Sequence, residues 1–248
     1  MEDIIVCKGL NKYYSGVHAL KDLSLKIKKD SVVGLIGDNG AGKSTLIKIL
    51  SGVHKHDNGK IRWQGNDIVI KSPAHARQIG FSVVYQDLAV VPLISIYRNF
   101  FLGKEELICK KILGVSFIRN NYAKNIARNA LKQLGIEIEN VESNVGVLSG
   151  GERQSISIAR AVYFQSKLLI LDEPTAALSL KETAKVLSYV QEAKKSDVGV
   201  IMITHNISHA WDSADRFVVL YRGEVASILR KEETSVKEIE NLINTGKK

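Results

Sequence analysis

Proline, cysteine and long apolar runs are all scarce in this chain of 248 residues. Three prolines and 19 glycines are too few for a collagen-like or low-complexity chain, and 45% apolar residues exclude a disordered composition. Runs without a polar side chain are short, for example the six residues of Val32–Gly37 and of 198–203, whereas a membrane-spanning helix needs about 20. We therefore expect a globular chain with a sizeable core and no transmembrane segment.

The two cysteines and the first residues address the compartment. Cys7 and Cys109 have no metal-ligand spacing, so we expect two free thiols in a reducing environment. The N-terminus carries Glu2 and Asp3 and no apolar segment, so no signal peptide is expected. Together these features predict a cytoplasmic protein.

The net charge of +9 is concentrated in the first 100 residues, which carry 14 basic and eight acidic side chains. A basic N-terminal part suits a polyanionic ligand, such as a nucleotide, a nucleic acid or an anionic membrane surface. The alternative is a solvated, lysine-rich surface, because the chain has no dense basic run.

Short apolar runs alternate with helical patterns along most of the chain. Strands are predicted for 4–10, 20–27, 31–36, 81–85, 168–171, 200–204, 217–220 and 224–229, with 20–27 at a sheet edge and the last two as a hairpin. Helices are predicted before Gly52, over 73–79 behind an N-cap at Ser72, and over 181–195. Such alternation predicts a mostly parallel sheet that is covered on both faces.

Residues 92–147 have a different texture, because β-branched strand runs give way to a helical pattern. One apolar stripe ends at Gly135 and consists of Ala123, Ala127, Ala130, Leu131 and Leu134. We expect a helical insertion in an α/β domain.

The strongest local signal is Gly37-Asp38-Asn39-Gly40-Ala41-Gly42-Lys43-Ser44. It matches G-x-x-x-x-G-K-[ST] at a point where a strand ends and a helix begins. Its glycines would let backbone N–H groups surround a phosphate at the positive end of the helix. Lys43 would reach the β- and γ-phosphates and the Ser44 hydroxyl would hold Mg²⁺, with Thr45 in the same site. The alternative is a glycine-rich turn with a solvated lysine.

Asp172 and Glu173 follow the apolar run 168–171. At the carboxyl end of a buried strand, Asp172 would hold Mg²⁺ through water. Glu173 would lie nearer the γ-phosphate and would orient and deprotonate a water molecule. An acidic pair after a strand is by itself more typical of a helix N-cap, but the neighbouring phosphate-binding loop favours catalysis.

A second helix start reads Leu-Ser-Gly-Gly-Glu-Arg-Gln over 148–154. Ser149 and Glu152 have the spacing of a capping box. Gly150 and Gly151 cost the first helical turn about 1 kcal/mol each relative to alanine. This cost indicates that something approaches the backbone closely, and an anion is the expected guest. The chain would then have two phosphate-binding helix starts, although one nucleotide does not need both from one chain.

The glycine-rich loop, the LSGGE segment, the acidic pair and Thr204-His205 follow one another in the order of ATP-binding-cassette (ABC) ATPases. The chain resembles this superfamily over essentially its whole length, and LSGGE is specific to it. The resemblance implies an α/β fold of the ABC P-loop NTPase type, a mostly parallel sheet flanked by helices, with an N-terminal antiparallel β part and a helical subdomain. It implies one domain over 1–248, with a nucleotide-binding core at 1–91 and 148–248 and the helical subdomain at 92–147.

The same resemblance assigns an ATP and Mg²⁺ site. Tyr14 resembles the aromatic residue that stacks on adenine, with the adjacent Tyr13, or a core role for Tyr14, as alternatives. Gln86 resembles the glutamine that binds Mg²⁺ and senses a permease, and His205 resembles the switch histidine at the γ-phosphate. The metal ligands would be Ser44, Gln86 and Asp172, and the catalytic residues Lys43, Glu173 and His205. The nucleotide would contact Tyr14, 37–45, Gln86, Ser149, Gly150, Gly151 and Glu152.

Segments 37–40, 72–73, 85–88 and 173–179 are similar to those of monosaccharide-import ATPases of ribose-, xylose- and fructose-type systems. Most members fuse two cassettes, whereas this chain has one, like the fructose-type branch. Ser179 departs from the Asp that is usual in the wider superfamily, and this departure bears on communication across a dimer rather than on catalysis.

The sequence therefore predicts an ATP-hydrolysing subunit that powers an ABC importer for a monosaccharide. Two copies would enclose two ATP molecules, with each P-loop facing residues 149–152 of the other chain. The partners would be this homodimer, an integral membrane permease that contacts 92–147 after Gln86, and indirectly a secreted sugar-binding protein. The chain would lie on the inner face of the membrane, and no nucleic-acid partner is expected.

Three alternatives stay open at this stage. The basic N-terminal part favours a nucleic-acid-linked ABC ATPase, although the chain lacks the heptad run of a coiled-coil insert. A regulatory protein that binds ATP without turnover is the second, and Glu173 and His205 argue against it. The third is an ABC ATPase for another substrate.

Overall fold

The computed structural model describes residues 3–86, 90–112, 114–176 and 178–247. The strands are β1 (Asp3–Tyr14), β2 (Val17–Lys28), β3 (Val32–Gly37), β4 (Asn58–Trp63), β5 (Asn66–Ile68), β6 (Phe81–Val84), β7 (Cys109–Ile112), β8 (Val115–Ile118), β9 (Leu168–Asp172), β10 (Gly199–Ile203), β11 (Arg216–Tyr221) and β12 (Glu224–Arg230). The helices are α1 (Lys43–Leu50), α2 (Pro73–Gln78), α3 (Ile96–Phe100), α4 (Asn120–Gln133), α5 (Gly150–Tyr163), α6 (Leu180–Lys195), α7 (Ile207–Ser213) and α8 (Val236–Thr245).

The predicted buried strands form a mostly parallel sheet in the order β12-β11-β3-β10-β9-β6. All neighbours in it are parallel except the β11–β12 hairpin. The central strands carry short β-branched runs because both of their faces are covered, which removes the polar positions of a one-sided strand. The mostly parallel sheet and its hairpin are thus confirmed.

Both faces of this sheet bury apolar side chains. Along β3, Val32 and Ile36 belong to one core, and Val33 and Leu35 belong to the other, as the alternation of a strand requires. Helix α1 packs on the second face, whereas α5 and α6 pack on the first.

The N-terminal part forms an antiparallel sheet in the order β2-β1-β4-β5. Strand β2 lies at its edge, as its partial alternation predicts. Strands β4 and β5 are not predicted by the sequence pattern, because exposed polar side chains interrupt their apolar residues.

Residues 92–147 contain α3 and α4, and the apolar stripe of α4 is buried. They also contain a β7–β8 hairpin that the sequence analysis did not predict. Val115 and Phe117 in β8 are exposed, so this strand lacks the alternation of buried and exposed side chains on which strand prediction relies. The helical part packs into the same core as the first sheet face.

Two helix caps that the sequence predicts are present in the structure. The Ser72 hydroxyl accepts a hydrogen bond from the His75 N–H at 3.1 Å and caps α2 as predicted. The capping box at Ser149 and Glu152 is present at the start of α5.

Asp87, Leu88 and Ala177, which contributed to the sugar-import resemblance, lie outside the described residues. Within the described ranges, no helix is long and apolar enough to cross a bilayer.

Candidate active site

The loop between β3 and α1 wraps around the Lys43 side chain. Its ammonium group donates hydrogen bonds to the carbonyl oxygens of Gly37, at 2.6 Å, and Asp38, at 3.0 Å. Gly42 precedes the helix with φ of 106°, a conformation that residues with a Cβ rarely adopt. The glycine-rich loop therefore turns back on the lysine and leaves the amino end of α1 open.

Lys43 is a buried cation without a carboxylate in ion-pair contact in the described part of the chain. Burial lowers the pKa of its ammonium group, and the charges of Glu173, Asp38 and Asp172 oppose this shift. The two carbonyl bonds leave part of its donor capacity unused. An anion that enters the loop would find both a cation and the positive end of α1.

A cavity of about 730 Å³ opens beside this loop. From the predicted set it brings together Asn39, Gly40, Ala41, Gly42, Lys43, Ser44, Thr45, Gln86, Asp172, Glu173 and His205. Gly37 and Asp38 do not line the cavity. Their carbonyl oxygens accept hydrogen bonds from the Lys43 ammonium group. The cavity lies at the carboxyl ends of β3, β9 and β10, where parallel α/β sheets bind ligands.

Three oxygen-bearing side chains in the cavity suit a hard divalent cation. They are the Ser44 hydroxyl, the Gln86 amide and the Asp172 carboxylate. Burial and the charge of Glu173 raise the pKa of the Asp172 carboxyl, while Lys43 opposes this shift, so a nearby cation would stabilise the ionised form. One carboxylate with neutral oxygen donors fits Mg²⁺, which retains several waters and also uses substrate phosphates.

The Glu173 carboxylate is held by the residues that follow β10. One oxygen, Oε2, accepts from the Thr204 hydroxyl at 3.0 Å. The other, Oε1, accepts from the His205 backbone N–H at 2.9 Å and lies 2.8 Å from the His205 ring Nδ1. Glu173 also has φ of 48°, a left-handed conformation that costs a residue with a Cβ about 1–3 kcal/mol. The surrounding contacts sustain that strain and place the carboxylate at the cavity.

Tyr14, predicted to stack on adenine, does not line the cavity. Its ring lies edge-on to His54, and its enclosed hydroxyl has no hydrogen-bond partner in the described part of the chain. Tyr13 is 49% exposed and stacks on His18, which does line the cavity, with ring centroids 4.1 Å apart. Tyr13 therefore remains an alternative to Tyr14 as the residue that stacks on adenine.

Residues 149–152 are not part of this cavity. The space expected for an anion at Gly150 and Gly151 is approached by two side chains of the same chain. A Cβ on Gly150 would lie 3.1 Å from Leu178 Cδ2, and one on Gly151 would lie 2.9 Å from Glu182 Cβ. Contact with Glu182 thus accounts for the glycine at 151 within one chain, whereas Leu178 Cδ2 is the end of a flexible side chain and does not demand a glycine at 150. The anion expected at these residues stays a prediction.

Four lining residues escaped the sequence analysis, namely Val17, His18, Ala19 and Arg222. Arg222 lies in the β11–β12 turn, which contacts the glycine-rich loop through a Gly223 N–H to Ala41 O bond of 3.1 Å. This proximity follows from sheet order, because Leu220 in β11 pairs with Gly37 in β3. The sequence around Arg222 predicts only a hairpin turn. The order of the strands in the sheet, which brings this turn to the cavity, cannot be predicted from these residues alone.

Comparison with known proteins agrees with this geometry. The model of the ABC transporter family matches residues 20–176. The xylose/arabinose import ATP-binding protein XylG of Sulfolobus acidocaldarius is 43% identical, over 99% of this chain and 95% of that protein. The fructose import ATP-binding protein FrcA of Rhizobium meliloti is 38% identical, over 96% of this chain and 92% of that protein. This chain belongs to the ABC transporter family, whose ATP-binding subunits are ATPases.

Solved structures show the same fold. An ATP-binding cassette of an ABC transporter in its ADP conformation has a TM-score of 0.81 and 25% identity, over 99% of this chain and 96% of that one. A dimeric cassette in a post-hydrolysis state, bound to ADP and phosphate, has a TM-score of 0.75 and 25% identity, over 92% of this chain and 98% of that one. The predicted ABC-type fold is confirmed, and dimeric cassettes with bound nucleotide occur among its structural neighbours.

Proposed function

We propose that this chain hydrolyses ATP to power an importer for a monosaccharide. The observation that carries the proposal is the cavity that joins Lys43, Asp172, Glu173 and His205 at the strand ends. The sugar assignment is supported by the names of the relatives, which are import proteins for xylose and arabinose and for fructose. These relatives favour the import interpretation over the nucleic-acid-linked and non-hydrolysing alternatives.

The residues of the cavity divide the chemistry among them. Lys43 and the backbone N–H groups of 39–45 bind the phosphates, since they combine a buried cation with a helix start. Ser44, Gln86 and Asp172 would hold Mg²⁺, which would offset the charge of the phosphate oxygens. Glu173 orients a water molecule and accepts its proton, while His205 keeps the Glu173 carboxylate in place.

The dimeric cassette among the solved structures supports a shared ATP site. In one chain the helix start at 149–152 lies outside the cavity and Ser149 is exposed, while the N–H groups of Gly151 and Glu152 donate to Glu182 and Ser149 of the same chain. In a head-to-tail dimer this helix start would meet the ATP that is held by the glycine-rich loop of the other chain. Two copies would then enclose two ATP molecules, and closing and opening of the dimer would follow the hydrolysis cycle.

A second groove suits the permease. It has a volume of about 440 Å³ and is lined by Tyr85, Leu102 and Arg160 among others. Leu93, which does not line this groove, is 83% exposed although it is apolar, and it follows Gln86 by seven positions in the sequence. A membrane protein that docks here would sense the Mg²⁺ site through β6 and Gln86, and it would hold the chain at the inner face of the membrane.

The test is sugar uptake in the source organism. Deletion of the gene should abolish uptake of one labelled monosaccharide, tested among xylose, arabinose, ribose and fructose, at low external concentration. The parent gene should restore uptake, whereas a Glu173→Gln gene should not. Leu93→Glu should preserve the ATPase activity of the purified chain and lose uptake. Unchanged uptake of every pentose and hexose in the deletion strain would refute the import assignment.

A further inference from the structure

Glu182 connects the starts of two helices. It is the third residue of α6, and its Oε2 accepts from the Ser179 N–H at 3.1 Å and from the Ser179 hydroxyl at 2.8 Å. Its other oxygen, Oε1, accepts from the Gly151 N–H of α5 at 3.4 Å. One carboxylate therefore serves the N-cap of α6 and the first turn of α5.

The chain makes room for this contact at Gly151. A Cβ at that position would lie 2.9 Å from Glu182 Cβ and 3.1 Å from Glu182 Cγ. These separations are too short for any other residue, so the glycine lets the Glu182 side chain rest on the α5 backbone. The contact is a tertiary one, because it joins positions that are 31 residues apart in the sequence.

The bridging group is an anion at neutral pH. Hydrogen bonds from Ser179, and further ones from Ser149 and Gly151, lower the pKa of the Glu182 carboxyl to about 2. A carboxylate also interacts favourably with the positive ends of both helices. Its two oxygens are thus held from two directions by groups that favour the charged form.

Glu182 also links residues that would act on different ATP molecules. Ser179 follows the strained Glu173 by six positions, and Glu182 joins Ser179 to Gly151 and Ser149. In the proposed dimer, Glu173 faces the ATP of its own chain, whereas Ser149 and Gly151 face the ATP of the other chain. The Glu182 contacts therefore lie between the two half-sites of one chain.

We propose that Glu182 is a positioning residue for ATP hydrolysis, which fixes the α5 start that receives the partner's ATP relative to the turn that carries Glu173. This role rests on the shared ATP sites of the proposed function. The carboxylate does not touch the cavity of its own chain. Its loss should thus alter turnover and leave nucleotide capture by the glycine-rich loop intact.

The first test separates turnover from binding. Glu182→Gln keeps the size of the side chain but removes an acceptor and the charge, and kcat should fall about 10- to 100-fold as the α5 start loses its alignment. The affinity of the chain for an ATP analogue should stay within about twofold, because Glu182 does not line the cavity whose residues bind the nucleotide. Glu192→Gln, the same change at a position of α6 whose side chain is 43% exposed and pairs with Lys195, should leave both values unchanged. A kcat of Glu182→Gln equal to that of the parent would overturn the proposal.

A second variant separates positioning from simple helix capping. Ser179→Ala removes the hydroxyl that caps α6 and that donates to Glu182 Oε2. Glu182 keeps its bonds to the backbone N–H groups of residue 179 and Gly151. Both variants should lower the melting temperature, but only Glu182→Gln should lose most of its kcat. If Ser179→Ala and Glu182→Gln lose kcat in proportion to their loss of melting temperature, Glu182 is a structural cap and the proposal is wrong.

Dimerisation distinguishes failure of this proposal from failure of the shared sites. In a Glu173→Gln background with Mg-ATP, adding Glu182→Gln should weaken the dimer about tenfold, since the misaligned α5 start contributes less to the other chain's ATP. A background that stays monomeric, even with the permease present, would refute the shared sites themselves. A dimer that is unchanged, or tightened by removal of a competing anion, would refute only the role of Glu182.

Discussion

The His205 imidazole and the Glu173 carboxylate are hydrogen bonded, with Nδ1 2.8 Å from Oε1. They follow the adjacent parallel strands β10 and β9, so sheet pairing sets their separation. His205 is 70% exposed in its side chain, whereas Glu173 is 14% exposed. The histidine therefore reaches Glu173 from the solvent side of the cavity and can be removed without opening the core.

Replacement of His205 by alanine should impair hydrolysis without unfolding the chain. Glu173 would keep its bonds to the Thr204 hydroxyl and to the backbone N–H of residue 205, but its carboxylate would gain freedom and the γ-phosphate would lose a donor. We expect kcat to fall about 100-fold, the usual effect of losing one preorganised donor. Steady-state kinetics and thermal melting measure both quantities, and a large loss of melting temperature would contradict the peripheral placement of His205.

Replacement of Lys43 by alanine should abolish hydrolysis and most ATP affinity. The site would lose its buried cation, and a hydrogen bond to a charged group is worth about 1.5–3 kcal/mol. Lys48→Ala is the matched control, because Lys48 is exposed on the same helix. Nucleotide titration and phosphate release should separate the two variants, and near-normal activity of Lys43→Ala would contradict the site.

The two adjacent tyrosines offer a paired test of adenine binding. Loss of one base–aromatic stack should weaken nucleotide binding by about 1–3 kcal/mol. If Tyr14 stacks on adenine, as the sequence resemblance predicts, Tyr14→Ala should show this loss and Tyr13→Ala should not. The reverse result would assign the role to Tyr13, whose ring stacks on the cavity residue His18. Each variant serves as the control for the other in the same titration.

The core of the site could be predicted because its signals are contiguous. The loop 37–44 and the pair Asp172 and Glu173 each directly follow a strand with a recognisable apolar run. In a parallel sheet, such strand ends meet at one edge. His205 was found through resemblance, and its bond to Glu173 follows from the pairing of β9 with β10.

What could not be predicted depends on contacts between distant parts of the chain. Arg222 reaches the cavity only because β11 lies beside β3, and Glu182 meets Gly151 across 31 residues. The β7–β8 hairpin was missed for a different reason. Its exposed apolar side chains, such as Phe117, leave no burial pattern by which a strand is identified.

The two cysteines should differ in reactivity. Burial raises the pKa of the Cys7 thiol to about 12, so at pH 8 almost none of it is the reactive thiolate. Cys109 is a free thiol and only half-buried. The native protein should therefore react with one equivalent of a thiol reagent and the unfolded protein with two. Cys109→Ser should abolish the native reaction and Cys7→Ser should preserve it, whereas two fast native equivalents would contradict the burial of Cys7.

Replacement of Glu173 by glutamine should trap the proposed dimer. The amide keeps the size of the side chain and removes the general base, so hydrolysis should fall by about 100-fold or more, while Lys43 and Ser44 still bind Mg-ATP. The uncleaved γ-phosphate would continue to join the loop of one chain to Ser149 and Gly151 of the other. Size-exclusion chromatography with Mg-ATP should show a dimer that is absent with Mg-ADP.

A second change at Ser149 tests where the chains of that dimer meet. Ser149 is exposed at the start of α5, so Ser149→Arg in the Glu173→Gln background should place bulk against the γ-phosphate and dissolve the dimer without unfolding either chain. Lys185→Glu, a change at an exposed position on α6, is the control and should leave the dimer intact. A dimer that survives Ser149→Arg would place the contact elsewhere. A strict monomer of Glu173→Gln at high protein concentration, with the permease present as well as absent, would exclude shared ATP sites, because the γ-phosphate would then have no second chain to join.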